Sequence, residues 1–157
     1  MKIHFWAIGK SNESYVTEGI DVFTKRITHY YPVDWKIIPS PKNSTNGSPA
    51  DLKKAEATIL LNLLAPADIL VVLDEKGTLF NSEKVAGLIQ LHANNSARDL
   101  IFLIGGAYGV DDSILKRANT TWSLSPLVFP HQLVRLILAE QVYRACTIIR
   151  NEKYHHN

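Results

Sequence analysis

The sequence predicts an α/β fold in which a mostly parallel sheet is covered by helices on both faces. Three observations carry this reading. Two apolar runs, Ile69-Leu70-Val71-Val72-Leu73 and Leu100-Ile101-Phe102-Leu103-Ile104, are β-prone and unbroken, as strands buried on both sides of a parallel sheet are. Segments with apolar residues at three- and four-residue spacing lie between such runs, each opened by a capping residue. Strand-like and helix-like segments then alternate through the whole chain, the order expected of a layered parallel sheet. No repeat or linker divides residues 1–157, which fit one domain around one sizeable core.

Taken in order, Ile3, Phe5 and Ala7 alternate with His4, Trp6 and Ile8 in a first strand that stops at Gly9. Ser11 is placed to cap a helix carrying Val16, Ile20, Phe23 and Ile27. Residues 33–38 give a second strand. Residues 39–49, polar and rich in Pro and Ser, predict a mobile surface loop. Asp51 is placed to cap a helix with Leu52, Ala55, Ile59 and Leu63 on one face. The third strand, 69–73, ends at Asp74-Glu75-Lys76-Gly77, and Ser82 caps the next helix, with Val85, Leu88, Ile89 and His92 on one side. The loop Asn94-Asn95-Ser96 precedes the strand at residues 100–104, which stops at Gly105-Gly106-Ala107-Tyr108-Gly109. Asp111 or Asp112 opens a short helix reaching Asn119. A short segment, 121–125, and a turn, 126–130, lead into a long helix over 131–150.

That last helix is apolar nearly all round. Val134, Ile137, Leu138, Val142, Ala145 and Ile149 form one stripe, and Leu133, Leu136 and Tyr143 lie off it. A surface helix needs one apolar face, so a second one calls for a further partner, most simply a two-fold copy of the same chain. Glu140 and Arg144 stand in the favourable i,i+4 order for an ion pair.

Composition narrows the class. Hydrophobic residues make up 46% and charged residues 20%, ordinary for a globular chain. The net charge of +2 argues neither for nor against nucleic acid. The single cysteine, Cys146, has no intrachain partner, which favours a reducing compartment. The N-terminal apolar segment is too short for a signal peptide, and residues 59–73 are interrupted by Asn62, Pro66 and Asp68. A cytoplasmic protein is expected.

The motifs are fewer than the elements. Loops leaving the strands after Leu73, Ile104 and Leu124 pool into one pocket if those strands adjoin, since open parallel sheets bind ligands at their carboxyl edge. The glycine cluster at 105–109 is neither the dinucleotide fingerprint nor a phosphate loop; it serves a closely approaching ligand or a plain tight turn. Six histidines show no metal-binding spacing, and no nucleophile elbow is present. Cys146 reads as a small buried residue. Arg135, Arg144, Arg150, Lys153, His155 and His156 gather basic groups near Tyr143 and Tyr154, a mixture that suits RNA or a solvated helix end.

Four stretches carry a family resemblance: the first strand ending in Gly9-Lys10; Phe102-Leu103-Ile104-Gly105-Gly106-Ala107-Tyr108-Gly109; Leu124-Ser125-Pro126-Leu127-Val128-Phe129-Pro130-His131-Gln132-Leu133-Val134-Arg135; and Glu140-Gln141-Val142-Tyr143-Arg144-Ala145 with Tyr154-His155. Together they resemble the RlmH family of SPOUT-class methyltransferases, which act on N3 of a pseudouridine in bacterial 23S ribosomal RNA. The resemblance runs the length of the chain and is most specific in its last third. It implies a SPOUT-type C-terminal trefoil knot, a homodimer with the active site near its interface, and no metal. It further implies S-adenosylmethionine bound against Leu73, Gly105, Leu124, Ser125, Pro126, Leu127, Val128 and Phe129. His155 is implied as the base that takes the imide proton, or as an RNA contact, with Arg144 and Tyr154 holding the nucleotide. His131 and Arg135 are secondary candidates. Two departures lie at the tail: Lys153 stands where proline is common, and His156-Asn157 extend the end. The weak net charge fits a target framed by the assembled ribosome. A methyltransferase of the same class acting on another RNA, such as transfer RNA, and a non-catalytic assembly factor are the competing readings.

Overall fold

The structure, a computed structural model, describes residues 1–41 and 47–156. Five strands, β1 (Lys2–Ile8), β2 (Val33–Ile38), β3 (Ile69–Leu79), β4 (Asp99–Ile104) and β5 (Thr120–Ser123), form one sheet in the order β2-β1-β4-β3-β5, every neighbour parallel. The helices are α1 (Ser14–Ile27), α2 (Pro49–Leu63), α3 (Ser82–Asn94), α4 (Asp112–Arg117) and α5 (His131–Ile149). In this order the connections through α1 and α3 step one way along the sheet, and those through α2 and α4 step the other. Right-handed crossovers turn opposite steps into opposite faces. The core follows that division.

On one face Ile27, Val85, Ile89, Leu138, Val142 and Ala145 pack on Ile3, Phe5, Ala7, Val71, Phe102 and Trp122. On the other, Ala57, Leu60 and Ile114 pack on Trp6, Ile8, Leu70, Val72, Ile101 and Leu103. Both alternating sets of β3 and β4 are therefore buried, which explains why those strands read as almost continuously apolar. Helix α5 lies against both α1 and α3. Leu136, on its second apolar stripe, packs with Val16, Ile20 and Phe23 of α1. Much of the surface expected to need a second copy is thus covered within the chain, while Leu133, Val134 and Ile137 stay half-buried.

Several local expectations shift. Glu13, not Ser11, precedes α1, and its backbone N–H donates to Gln132 Oε1 of α5 at 3.0 Å, so tertiary contact replaces a local side-chain cap. Ser48, not Asp51, caps α2; Asp51 is the third residue of a capping box. Asn81, not Ser82, caps α3, and Asp111 caps α4. The buried residues of α2 are Glu56, Ala57 and Leu60, whereas Leu63 is exposed, a rotation from the predicted face. Strand β3 does not end at Leu73. Leu73 and Thr78 both pair with Trp122, so residues 74–77 bulge out and the strand resumes to Leu79. Residues 42–46 of the predicted loop, and Asn157, lie outside the described residues. Among the described residues no helix is long and apolar enough to cross a membrane.

Candidate active site

Strands β4, β3 and β5 are adjacent, so their carboxyl-end loops meet. They enclose a cleft of about 530 Å³, walled by Leu73 and Asp74 of β3, by residues 104–110 after β4, and by Trp122, Ser123, Leu124 and Ser125. Leu127, Val128 and Phe129 complete it, with His131 and Val134 from the start of α5. Of the residues expected to hold a methyl donor, Leu73, Gly105, Leu124, Ser125, Leu127, Val128 and Phe129 lie on this wall; Pro126 does not. Leu127 and Val128 are 70% and 87% exposed, large apolar groups left open to solvent at the rim. The charged wall residues Lys53, Asp74, Glu75, Lys76 and Asp112 are of mixed sign.

The floor is the Gly105-Gly106 turn. A Cβ on Gly105 would meet Val110 Cγ1 at 2.7 Å and Gly109 backbone carbon at 3.1 Å, so the turn is closed against itself. A Cβ on Gly106 would lie 2.7 and 2.8 Å from the two carboxylate oxygens of Glu56. Glu56 is only 4% exposed and accepts a hydrogen bond from Ser40 Oγ at 2.9 Å. Burial pushes its carboxyl group above the ordinary range, against the opposing effect of that hydroxyl.

The first turns of α5 fasten the carboxyl edge. The Gly106 carbonyl accepts from Gly109 N–H at 3.1 Å and lies 3.2 Å from His131 Nε2. A carbonyl only accepts, so Nε2 carries the proton and the ring is held as that tautomer. Burial lowers the His131 pKa, and nearby Arg135 adds to the effect. Arg135 Nη1 donates to Lys10 O and Asn12 Oδ1, each at 2.8 Å, and Gln132 Nε2 donates to Ser11 O at 3.3 Å. Arg135 is 1% exposed. It therefore fastens the β1–α1 loop from inside, and the expectation that it belongs to an exposed basic surface is corrected by its burial.

His155, Arg144 and Tyr154 gather elsewhere, around Glu140. Arg144 Nε and Nη2 reach Glu140 Oε1 at 3.0 and 2.6 Å, and Tyr154 Oη donates to the same oxygen at 3.1 Å. The guanidinium lies 4.7 Å over the Tyr154 ring. His155 Nε2 is 3.0 Å from Glu83 Oε1 and its Nδ1 is 3.4 Å from Arg144 Nη1. A guanidinium only donates, so this contact presents Nδ1 as acceptor and Nε2 as donor to Glu83. His155 borders a second cavity of about 370 Å³, which shares Trp122, Leu124, Ser125 and Phe129 with the first. Leu124, Ser125 and Phe129 of the expected donor site thus line the same second cavity as His155, while His155 is not on the wall of the larger cleft. Glu56, Gly106 and Glu140 were not among the expected site residues; the apolar-stripe reading of α2 discounts a charged residue, and nothing local marks Glu56 as buried.

Among the described residues no cluster of His, Cys, Asp and Glu is arranged to hold a metal ion. The cleft fits an adenosyl methyl donor in size and in kind. Its volume lies in the usual range of about 300–1,000 Å³ for small-ligand sites. Its floor is backbone that Glu56 and Val110 keep bare of Cβ atoms, and Leu73, Leu124 and Phe129 supply apolar wall. A parallel sheet with such a cleft at its carboxyl edge defines an α/β ligand-binding architecture. Residues 1–155 match the family described as predicted SPOUT methyltransferase, and the chain belongs to that family of methyltransferases. It is 49% identical over 156 residues to the Ribosomal RNA large subunit methyltransferase H of Cytophaga hutchinsonii, covering 99% of this chain and all of that one. The protein of the same name from Parabacteroides distasonis is 42% identical, with 99% of each chain covered. A solved structure described as a probable methylase family protein from Haemophilus influenzae Rd KW20 shares the fold. Its TM-score is 0.55 at 10% identity, over 99% of this chain and 70% of that one.

Proposed function

We propose that this chain transfers a methyl group from S-adenosylmethionine to N3 of a pseudouridine in 23S ribosomal RNA, acting as a homodimer on the assembled ribosome. The observation that carries the reading is the end-to-end similarity, at 49% identity, to a relative named as a large-subunit ribosomal RNA methyltransferase. The trefoil threading implied by the resemblance, and a cytoplasmic location, belong to the same reading.

S-adenosylmethionine, when bound, supplies a methyl group already activated on a sulfonium. The chain's own residues bind, orient and shield. Leu73, Gly105, Leu124 and Phe129, with the rest of the cleft wall, hold the donor and exclude water. Arg144 and Tyr154, braced on Glu140, hold the nucleotide. The pseudouridine N3–H must lose its proton before attack, and His155 takes it at Nδ1, exchanging the long 3.4 Å contact with Arg144 for the imide. His155 does not line the larger cleft of its own chain, and in this reading the active site is completed by two copies, each offering its tail to the other's cleft. The half-buried Leu133, Val134 and Ile137 and the exposed Leu127 and Val128 supply the apolar contact.

The test is methyl transfer from labelled S-adenosylmethionine to three acceptors taken from cells lacking the activity: whole ribosomes, free 23S RNA and transfer RNA. Label on one pseudouridine of the ribosome is expected, with free RNA a poor acceptor. Label on transfer RNA alone sinks the proposal. Equal rates on free RNA remove its ribosome clause. Sedimentation equilibrium at a mass of twice 17.6 kDa is expected for the dimer.

A further inference from the structure

Glu56 is the one buried acidic side chain of the described residues, and the proposed reaction gives it no role. It projects from α2, a helix that contributes only Lys53 to the cleft wall. Yet its carboxylate sits directly behind the Gly106 turn, in the space a Cβ would fill, so only one layer of backbone lies between it and the cleft. Among the described residues it makes no ion pair, and its hydrogen bond comes from a neutral hydroxyl, Ser40 Oγ. Among the described residues no cation forms an ion pair with it that would offset the charge of its ionised form. The acidic and basic groups at the mouth, Lys53, Asp74, Glu75, Lys76 and Asp112, are of both signs and reach solvent, which screens them. A charge beneath a low-dielectric floor is screened far less, and its field is focused into the cleft above it.

We propose that Glu56 is a specificity determinant of the cleft: its buried carboxylate, acting through the Gly106 turn, makes the site prefer a cationic ligand over a neutral one of the same shape. This rests on the reading of the cleft as the methyl-donor site. There the consequence is direct. S-adenosylmethionine carries a positive sulfonium, and S-adenosylhomocysteine, left after the methyl group departs, is a neutral thioether at the same atom. The carboxylate holds the donor and releases the spent product, so one buried charge separates two ligands that differ by a single methyl cation. Gly106 is required for the same reason, since any side chain there would displace the carboxylate from beneath the floor.

The experiment is calorimetric titration of the full chain with both ligands, in the wild type and in Glu56→Gln. The substitution keeps shape and an acceptor for Ser40 while removing the charge. Affinity for S-adenosylmethionine is expected to fall about tenfold, the scale of a charge pair about 12 Å apart at an effective dielectric near 20. Affinity for S-adenosylhomocysteine is expected to hold within about twofold, and that binding also reports an intact cleft. Equal loss of both ligands, or no loss of either, overturns the inference and leaves Glu56 a packing residue. Should E56Q fail to fold, Ser40→Ala decides. Removing the hydroxyl that stabilises the ionised carboxylate must lower the ratio of the two affinities in the same direction, and an unaltered ratio overturns the proposal. A wild type that binds neither ligand overturns the donor site itself, and this inference with it.

Discussion

His131 shows how one side chain joins site and stability. Its Nε2 proton serves the Gly106 carbonyl, and burial lowers its pKa below the ordinary 6.5. A group whose folded pKa is depressed contributes stability above its unfolded pKa and loses it as pH falls through the folded value. Acidification below about pH 6.5 is therefore expected to loosen the start of α5. His131→Gln keeps an N–H donor without a titrating ring, so its melting temperature should fall less steeply with acid than the wild type's. His92, also lowered by burial, leaves a residual slope. Gly77 gives a second single-residue expectation. A Cβ there would lie 2.8 Å from Trp122 backbone N and C, atoms of a paired strand that have no room to retreat. Gly77→Ala is expected to lower stability by about 1–3 kcal/mol, read by denaturant unfolding, and to displace the β3 bulge that walls the cleft.

At the scale of elements, the tail after α5 is a built reversal. Asn151 has φ +56°, Asn151 N–H donates to Ile148 O, and Glu152 N–H donates to Thr147 O, the two bonds of a Schellman ending. The chain then folds back over α5 and places Tyr154 and His155 beside Glu140 and Arg144. Tyr30, just beyond α1, donates to Glu152 Oε2 at 2.5 Å and pins the reversal from the neighbouring helix. Asn151→Ala is expected to cost about 1 kcal/mol for a left-handed residue, with Asn151→Gly tolerated. Tyr30→Phe is expected to slow methyl transfer several-fold while leaving donor affinity unchanged, as single-turnover rates and titration would show. Equal loss of rate and affinity would place the defect in the cleft, away from the tail.

Across the whole molecule, α5 is the shared support. Its first turns fasten the loops after β1 and β4, its middle packs on the sheet between α1 and α3, and its end carries the tail. Leu138, fully buried at its centre, touches the core of that face. Leu138→Ala is expected to cost about 2–5 kcal/mol in one cooperative unfolding transition. Donor binding should be lost together with the tail's fluorescence or proteolytic protection, because no part of the site has a separate support. Two transitions in that variant would show that cleft and tail are held independently.

The alternation of apolar runs and helical patterns was enough to define the parallel α/β class, since burial on both faces leaves a strand no polar side to show. The carboxyl-edge loop after Ile104 was legible for the same reason, since that buried strand ends where its apolar run ends, whereas β3 runs past its apolar run through a bulge to Leu79. The resemblance pointed to Arg144, Tyr154 and His155 as a group, and the structure brings them together around Glu140. Local sequence misplaced three helix caps, because Gln132 reaches Glu13 from across the fold and neighbouring Ser48 and Asn81 offer better acceptor geometry. It gave Arg135 to the surface, although Lys10 O and Asn12 Oδ1 accept from its Nη1 and hold that guanidinium inside. It passed over Glu56, whose burial depends on the Gly106 turn some fifty residues away in the chain. Hydrophobic period reports which face of an element avoids water; which polar group that face can also accommodate depends on partners that only the assembled chain supplies.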